Sequence, residues 1–315
     1  MAKALIFPGQ GSQAVGMGKA LAEGSATARA VFDEIDEALG DRLSAIMWDG
    51  PEDALTLTEN AQPALMAVSL AVMRTLEQDF SVDVAKAATF VAGHSLGEYS
   101  ALAAAHAIGI ADAARLLRTR GQAMQSAVPV GEGAMAAMLG ISMEDAQRLA
   151  EAAGDAGVCQ VANDNAPGQV VLSGAKAGVD KAVELAKEYG AKRAIPLNVS
   201  APFHCALMAP AADVMAEALG GVEISTPKVP VVANVLAEPV SDPDDIRKRL
   251  VEQVTGTVRW RECVGTMAGE GVDTFYEIGS GKVLCGLVRQ IDRALTSKPV
   301  GTMEDIEAVA AELSE

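Results

Sequence analysis

A serine between two glycines, in the stretch VAGHSLGEYSALAAA at residues 91–105, constrains the fold more than any other feature of the chain. The apolar run ATFVAG before the serine predicts a buried strand that ends at Gly93. The segment LGEYSALAAAHA after it predicts a helix with Glu98 in the first turn, where the helix dipole favours a negative charge. A strand, a tight turn and a helix in this order are typical of a nucleophile elbow, which lifts a serine hydroxyl clear of the backbone. An ordinary glycine-rich turn with a helix-capping serine is the alternative, and the flanks favour Ser95 as a nucleophile.

The composition indicates an α/β protein. Half of the residues are hydrophobic and only 3% are aromatic, so the core must be aliphatic, which suits helices packed on a parallel sheet. Between residues 128 and 198 the pattern predicts the order β-α-β-β-α-β, which is typical of a ferredoxin-like unit. We therefore predict an α/β hydrolase-like parallel-sheet core from residues 1–127 and 199–315, with a ferredoxin-like small subdomain inserted at 128–198.

Charge and cysteine content exclude several classes of protein. The 25 basic and 42 acidic residues give a net charge of −17, which argues against a nucleic-acid partner and requires any anion site to be local. The N-terminal segment lacks the order of a signal peptide, and no run of about 18 uncharged apolar residues predicts a membrane span. The four cysteines are far apart, which favours a reducing compartment over a disulfide framework or a zinc site. We expect a soluble, cytoplasmic protein without a metal.

Elimination among three histidines selects the base that a serine nucleophile needs near neutral pH. His94 is adjacent to Ser95 on a sharp turn, where neighbouring side chains diverge. His106 lies ~16 Å along the same predicted helix, at about 1.5 Å per residue. His204 lies in NVSAPFHCALM, at a predicted domain junction where a cleft wall is expected. Because no acidic residue between Ser95 and His204 lies in a strand-end motif, we favour a dyad whose imidazole is oriented by a backbone carbonyl or an amide side chain.

The arginines of ARLLRTRGQAM do not share one helix face. Arg115 and Arg118 are neighbours on the helix surface, whereas Arg120 points nearly opposite, among Leu117 and Met124 on the apolar side. A buried guanidinium needs an anion or strong acceptors, because an unpaired buried charge is costly. An internal carboxylate is one candidate partner. A substrate carboxylate held by two parallel N–H···O bonds is the other.

The glycine loop FPGQGSQAVGMG supports two interpretations. From Gly9 to Ala14 it fits G-x-G-x-x-A after an opening strand, with Asp33 as a possible ribose ligand, which makes a dinucleotide-binding protein an alternative. Against this, a proline precedes the loop and further glycines delay a helix start. The second interpretation is that backbone N–H groups of the loop face a negative charge developing beside Ser95.

The chain resembles the malonyl-CoA:acyl carrier protein transacylase family in an ordered set of motifs that covers nearly its whole length: FPGQGSQ, GHSLGEYSAL, the RG of RTRGQAMQ, NAPGQVV, SAPFHCALM, VEQVTGTVRW and EIGSGKVL. The resemblance implies a ping-pong reaction in which a serine takes the malonyl group as an ester and passes it to the phosphopantetheine thiol of acyl carrier protein, in the service of fatty acid synthesis. It implies no cofactor, and we expect a monomer. The implied roles are Ser95 as nucleophile, His204 as base and acid, Arg120 as clamp on the malonyl carboxylate, Gln10 and Leu96 as backbone donors of an oxyanion hole, and Gln253 as the residue that positions His204.

The resemblance also implies a selectivity residue and a docking surface. Phe203 stands where related acyltransferase domains have a Phe with malonyl use and a Ser with methylmalonyl use; a core Phe is the alternative. Because acyl carrier protein is acidic, a chain of net charge −17 must dock it on a local basic patch. Lys282, Arg289 and Arg193 are our candidates, and ordinary solvated charges are the alternative.

Two other functions remain open from the sequence. A hydrolase with the same dyad would release free malonate, and a binding-only α/β protein would take up no acyl group. Mass measurement of the intact protein after mixing with malonyl-CoA distinguishes all three functions.

Overall fold

Two sheets organise the chain, of which the computed structural model describes residues 2–314. The strands in chain order are β1 (Ala2–Phe7), β2 (Phe90–Gly93), β3 (Gly133–Leu139), β4 (Cys159–Ala166), β5 (Gln169–Ala175), β6 (Arg193–Pro196), β7 (Val231–Ala233), β8 (Glu238–Val240), β9 (Val272–Ile278) and β10 (Thr296–Val300).

Helices cover both sheets. They are α1 (Lys19–Gly24), α2 (Ala26–Leu39), α3 (Leu43–Asp49), α4 (Glu52–Thr56), α5 (Thr58–Asp79), α6 (Val84–Ala87), α7 (Gly97–Ala104), α8 (Ile110–Ala127), α9 (Met143–Ala153), α10 (Lys176–Leu185), α11 (Ala209–Gly220), α12 (Pro243–Thr255), α13 (Trp260–Gly269), α14 (Val283–Ile291) and α15 (Met303–Ser314). Within residues 2–314 none of them combines the length and the apolar character that a membrane crossing requires.

The larger sheet has the order β10-β9-β1-β2-β7-β8 and is parallel except for β8 at one edge. Side chains of β1 alternate between its two faces: Leu5 and Phe7 join the core with α5 and α7, whereas Ala4 and Ile6 join a second core with α13 and α14. Burial on both faces explains the uninterrupted apolar runs of the central strands. Phe7 pairs with Gly93 at the carboxyl ends of β1 and β2, so the glycine loop and the Ser95 turn leave the sheet side by side.

The smaller sheet is antiparallel, with the order β4-β5-β3-β6 and helices α9 and α10 packed against it. Its elements follow the predicted β-α-β-β-α-β order, and the predicted fold class, a parallel-sheet α/β core with a ferredoxin-like small unit, is confirmed. The boundaries at 128 and 198 stay a prediction. Asp164 on β4 accepts from the Arg261 guanidinium on α13 at 2.7–3.1 Å, which ties the small sheet to the larger one beside the cleft between them.

Candidate active site

The turn after β2 holds Ser95 in a left-handed backbone conformation with φ of 54°. Such a φ is strained for a residue with a side chain, and it is the geometry of a nucleophile elbow. Both flanking glycines are required: a Cβ on Gly93 would lie 1.9 Å from the Gly97 carbonyl carbon, and one on Gly97 would lie 2.3 Å from the Phe7 oxygen. The G-x-S-x-G pattern therefore reflects backbone contacts on both sides of the serine.

Asn234, just past the end of β7, clamps this turn. The Ser95 N–H donates to Asn234 Oδ1 at 2.8 Å, and Asn234 Nδ2 donates to the Gly93 carbonyl at 2.7 Å. The asparagine is fully buried, and its own N–H donates to Glu98 Oε2 at 2.9 Å. Sequence reasoning missed Asn234. Its one signal is an amide side chain at the carboxyl end of a buried parallel strand.

His204 completes a dyad with Ser95. Its Nε2 lies 2.8 Å from Ser95 Oγ, and its Nδ1 lies 2.8 Å from the Gln253 backbone carbonyl. Because a carbonyl only accepts, Nδ1 carries the proton and Nε2 is free to accept the serine proton. Burial, reinforced by the Arg120 charge, lowers the pKa of His204 to about 3, so the imidazole is neutral at physiological pH.

The other two histidines contact side chains other than Ser95. His94 Nε2 lies 2.8 Å from Asn165 Oδ1, and the His94 ring lies against Trp260. His106 Nε2 lies 2.7 Å from Glu77 Oε1.

Arg120 lies at the floor of the site with 1% of its surface exposed. It donates to Gln62 Oε1 at 2.7 Å, to Gln253 Oε1 at 2.8 Å and to Ser95 Oγ at 3.1 Å. Within residues 2–314 no carboxylate forms an ion pair with it, and its Nε has no acceptor. The internal-carboxylate interpretation therefore lacks a partner, and a buried cation beside Ser95 can receive an anionic ligand.

Gln253 on α12 contacts Ser95, His204 and Arg120. Its carbonyl accepts from His204, and its Nε2 donates to the Ser95 carbonyl and to Glu98 Oε2, each at 3.0 Å. Burial raises the pKa of the Glu98 carboxyl to about 7. The sequence placed Glu98 only in the first turn of a helix, so its contact with Gln253 is a feature that sequence reasoning missed.

Gln10 and Leu96 line the cleft beside Ser95. Among the described residues, neither the Gln10 nor the Leu96 N–H donates to a protein acceptor. The loop of Gln10 lies against the elbow, since a Cβ on Gly9 would come within 2.8 Å of the His94 carbonyl oxygen. This arrangement suits an oxyanion hole.

The dinucleotide interpretation of the same loop fails on geometry. No helix follows Ala14 directly, because α1 begins at Lys19. Asp33 is exposed on α2 and pairs with Arg29 on the same helix, at 3.2 Å.

A cleft of about 350 Å³ opens above Ser95, between the two sheets. Phe203, 9% exposed, forms part of its wall beside His204. Met135 and Asn163 of the small sheet also line it. In the part of the chain that the structure describes, no group of His, Cys, Asp and Glu side chains is arranged to hold a metal.

The three candidate docking residues are exposed, and two of them belong to one helix. Lys282 precedes α14 and Arg289 lies in its last turn, while Arg193 begins β6. Lys282 follows a turn in which Ser280 Oγ donates to the Ser12 carbonyl at 2.9 Å, which brings it next to the glycine loop at the cleft. No hydrogen bond or ion pair joins the three within residues 2–314, so their role stays a prediction.

Comparisons with known proteins agree on one family. A model of the acyl transferase domain matches residues 4–309. The malonyl CoA-acyl carrier protein transacylase of Bacillus subtilis is 48% identical over 314 residues, which cover 99% of this chain and 97% of that protein. The crystal structure of an acyl-carrier-protein-S-malonyltransferase from Bartonella henselae is similar with a TM-score of 0.98, 55% identity and full coverage of both chains. A malonyl-transacylase in complex with its type II PKS acyl-carrier protein is 41% identical, with a TM-score of 0.94 and 99% coverage of each chain.

Proposed function

The chain belongs to the acyl transferase family, and on that premise we propose that it transfers the malonyl group from malonyl-CoA to the phosphopantetheine thiol of acyl carrier protein. The acyl group passes through an ester on Ser95, and the product supplies fatty acid chain elongation. One observation carries the choice of acyl group: Arg120 is buried without an anionic partner among the described residues and donates directly to the nucleophile.

In the first half-reaction Ser95 Oγ attacks the thioester carbonyl while its proton passes to His204 Nε2. The oxyanion that forms is held by the backbone N–H groups of Gln10 and Leu96. When the C–S bond breaks, His204 returns the proton to the coenzyme A sulfur, which leaves as a thiol. In the second half-reaction His204 takes the proton of the carrier-protein thiol, the sulfur attacks the malonyl ester, and Ser95 recovers its hydroxyl.

The malonyl carboxylate has two effects at Arg120. It provides the anion that the buried guanidinium lacks, through two parallel N–H···O bonds. It also offsets the positive charge that helps to lower the pKa of His204, so the bound substrate makes the imidazole a better base. An acyl group without a carboxylate has neither effect.

Further roles follow from the same arrangement. We propose that Gln253 positions His204 through its carbonyl and that Phe203 narrows the cleft against α-branched acyl groups. We propose also that residues 128–198 act as a subdomain forming one wall of the cleft, and that the chain works as a monomer in the cytoplasm. The four buried cysteines, all free in the structure, support a reducing compartment.

The test is intact-mass measurement after mixing the protein with malonyl-CoA, followed by addition of acyl carrier protein carrying its phosphopantetheine. We expect the mass of one malonyl group on the chain, absent from Ser95→Ala, and its removal onto the carrier protein. Rapid release of free malonate would instead make the protein a hydrolase. If the chain gains no malonyl mass and the carrier protein receives no malonyl group, the protein only binds its ligands.

A further inference from the structure

A line of buried hydrogen bonds connects Arg120 with the glycine loop. Arg120 Nη1 donates to Gln62 Oε1 at 2.7 Å, and Gln62 Nε2 donates to Thr58 Oγ1 at 2.9 Å. Thr58 Oγ1 in turn donates to Gln10 Oε1 at 3.0 Å. Thr58 and Gln62 are each 1% exposed, so water does not compete for these bonds.

Arg120 dictates the direction of the first two bonds in this line. A guanidinium only donates, so Gln62 must present its oxygen to Arg120 and its NH₂ to Thr58. The Thr58 oxygen accepts that hydrogen and donates its own single hydrogen to Gln10 Oε1. The Gln10 side chain is thereby held in one orientation, and with it the backbone N–H beside Ser95.

Close packing of α8 against α5 places the side chains of this hydrogen-bonded line within reach of one another. A Cβ on Gly121, the residue after Arg120, would lie 2.5 Å from Glu59 Cα and 2.7 Å from the Thr58 carbonyl oxygen. Glycine at this position therefore lets α8 touch the first turn of α5, which brings Arg120 within reach of Gln62 one turn further on. The contact explains why the motif contains a glycine directly after the arginine.

We propose that Thr58 is a positioning residue that couples the acyl-binding arginine to the oxyanion hole. The proposal rests on the proposed function and deepens it. The carboxylate clamp and the Gln10 N–H then form one hydrogen-bonded unit, and loss of the threonine hydroxyl lets the Gln10 loop move although every group that touches the substrate is still present. Such a change slows the chemical step and leaves substrate binding intact.

The test compares single-turnover loading of Ser95 from malonyl-CoA in Thr58→Val, Thr58→Ser and the unaltered chain. We expect the maximal rate constant of Thr58→Val to fall about tenfold with a half-saturating concentration within about twofold. Thr58→Ser retains the hydroxyl and should recover most of the rate. Thr75→Val is the matched control, because Thr75 is a buried threonine on the same helix whose hydroxyl donates to the Ala71 carbonyl, far from the cleft.

A double substitution distinguishes a shared line from separate effects. Gln10→Met removes the acceptor and keeps the backbone N–H, so Thr58→Val with Gln10→Met should be no slower than the slower single variant. The proposal would be overturned if the two substitutions lowered the rate constant additively, or if Thr58→Val left it unchanged. It would also be overturned if Thr58→Val raised only the half-saturating concentration. Should Thr58→Val unfold, Gln10→Met alone decides, and an unchanged rate constant there overturns it. An unaltered chain that takes up no malonyl group would contradict the proposed function instead.

Discussion

The cleft and the exposed surface hold positive charge in different ways. Arg120 is 1% exposed and donates to neutral oxygens, whereas Lys282 and Arg289 are exposed to solvent. A buried cation is costly without an anion, so its presence indicates a ligand. An exposed cation has almost no free-energy cost, so its presence does not indicate a ligand. The same residue types therefore support a specific functional inference in one region and a weak one in the other, and we expect their substitution to differ in the same order.

The largest effect in the buried region should come from its base. His204→Ala should lower the rate of Ser95 loading by about 10³-fold or more, because nucleophile and base act as a unit. Stopped-flow measurement of coenzyme A release gives this rate. His106→Asn is the control, since His106 contacts Glu77 away from the cleft. A loss of less than tenfold in folded His204→Ala would place the base elsewhere.

Arg120→Ala tests the buried charge directly. Malonyl-CoA should lose roughly 2–5 kcal/mol in transition-state stabilisation, the cost of truncating one partner of a buried charge pair. For acetyl-CoA, kcat/KM should fall by less, about tenfold, because Arg120 also orients Gln62 and Gln253.

The ratio of kcat/KM values for the two donors measures that difference. Arg118→Ala, on the same helix and paired with Asp41 at 2.9 Å, is the matched control. Equal losses for malonyl-CoA and acetyl-CoA in Arg120→Ala would assign the arginine to structure alone.

The same contrast explains what the sequence could predict of the site. Ser95, His204 and Arg120 each leave a local mark: flanking glycines, scarcity of histidine, and an arginine on the apolar side of a helix. Asn234 leaves only an amide side chain after a strand, and its function depends on the Ser95 N–H, 139 positions away in the chain. An asparagine after a strand is also common in any turn, so only the folded contact identifies the clamp.

The fold shows a similar division between centre and edge. The central strands β1 and β2 were predicted because burial on both faces requires apolar runs. The edge strands β8 (EPV) and β10 (TSKPV) were not, since an edge tolerates proline and polar residues. The last strand of the small sheet, β6, ends at Pro196, because there the chain leaves the sheet to line the cleft.

The buried imidazole should also make stability depend on pH. Burial lowers the pKa of His204 from 6.5 to about 3, so the unfolded chain binds more protons between these values and the free energy of unfolding falls as pH drops through them. From pH 7 to 4.5, urea unfolding should show His204→Gln losing roughly 2–3 kcal/mol less than the unaltered chain. If both chains lose the same unfolding free energy, His204 is protonated at pH 4.5 in the folded state as well as in the unfolded state.

Phe203 tests whether the uncharged wall of the cleft contributes to selectivity. Phe203→Ser should raise methylmalonyl transfer relative to malonyl transfer, by no more than the roughly 1–3 kcal/mol that one methyl group is worth in a pocket. Competition between the two donors, read by mass of the loaded protein, gives the ratio. Phe203→Leu keeps most of the apolar volume and should shift the ratio less. An unchanged ratio in folded Phe203→Ser would make the phenylalanine a core residue only.

The smallest effect is expected on the exposed side of the comparison. Reversing Lys282 and Arg289 to Glu should slow transfer to acyl carrier protein by roughly three- to tenfold at low salt, with a smaller loss at high salt where screening is stronger. Loading from malonyl-CoA should change much less, because neither side chain lines the cleft. Reversal of Lys86 and Lys181, exposed cations away from α14, makes the same change in net charge and is the control. If both half-reactions slow equally, if neither slows, or if the control slows transfer as much, the carrier protein docks on another surface and exposed charge near the cleft has no special role.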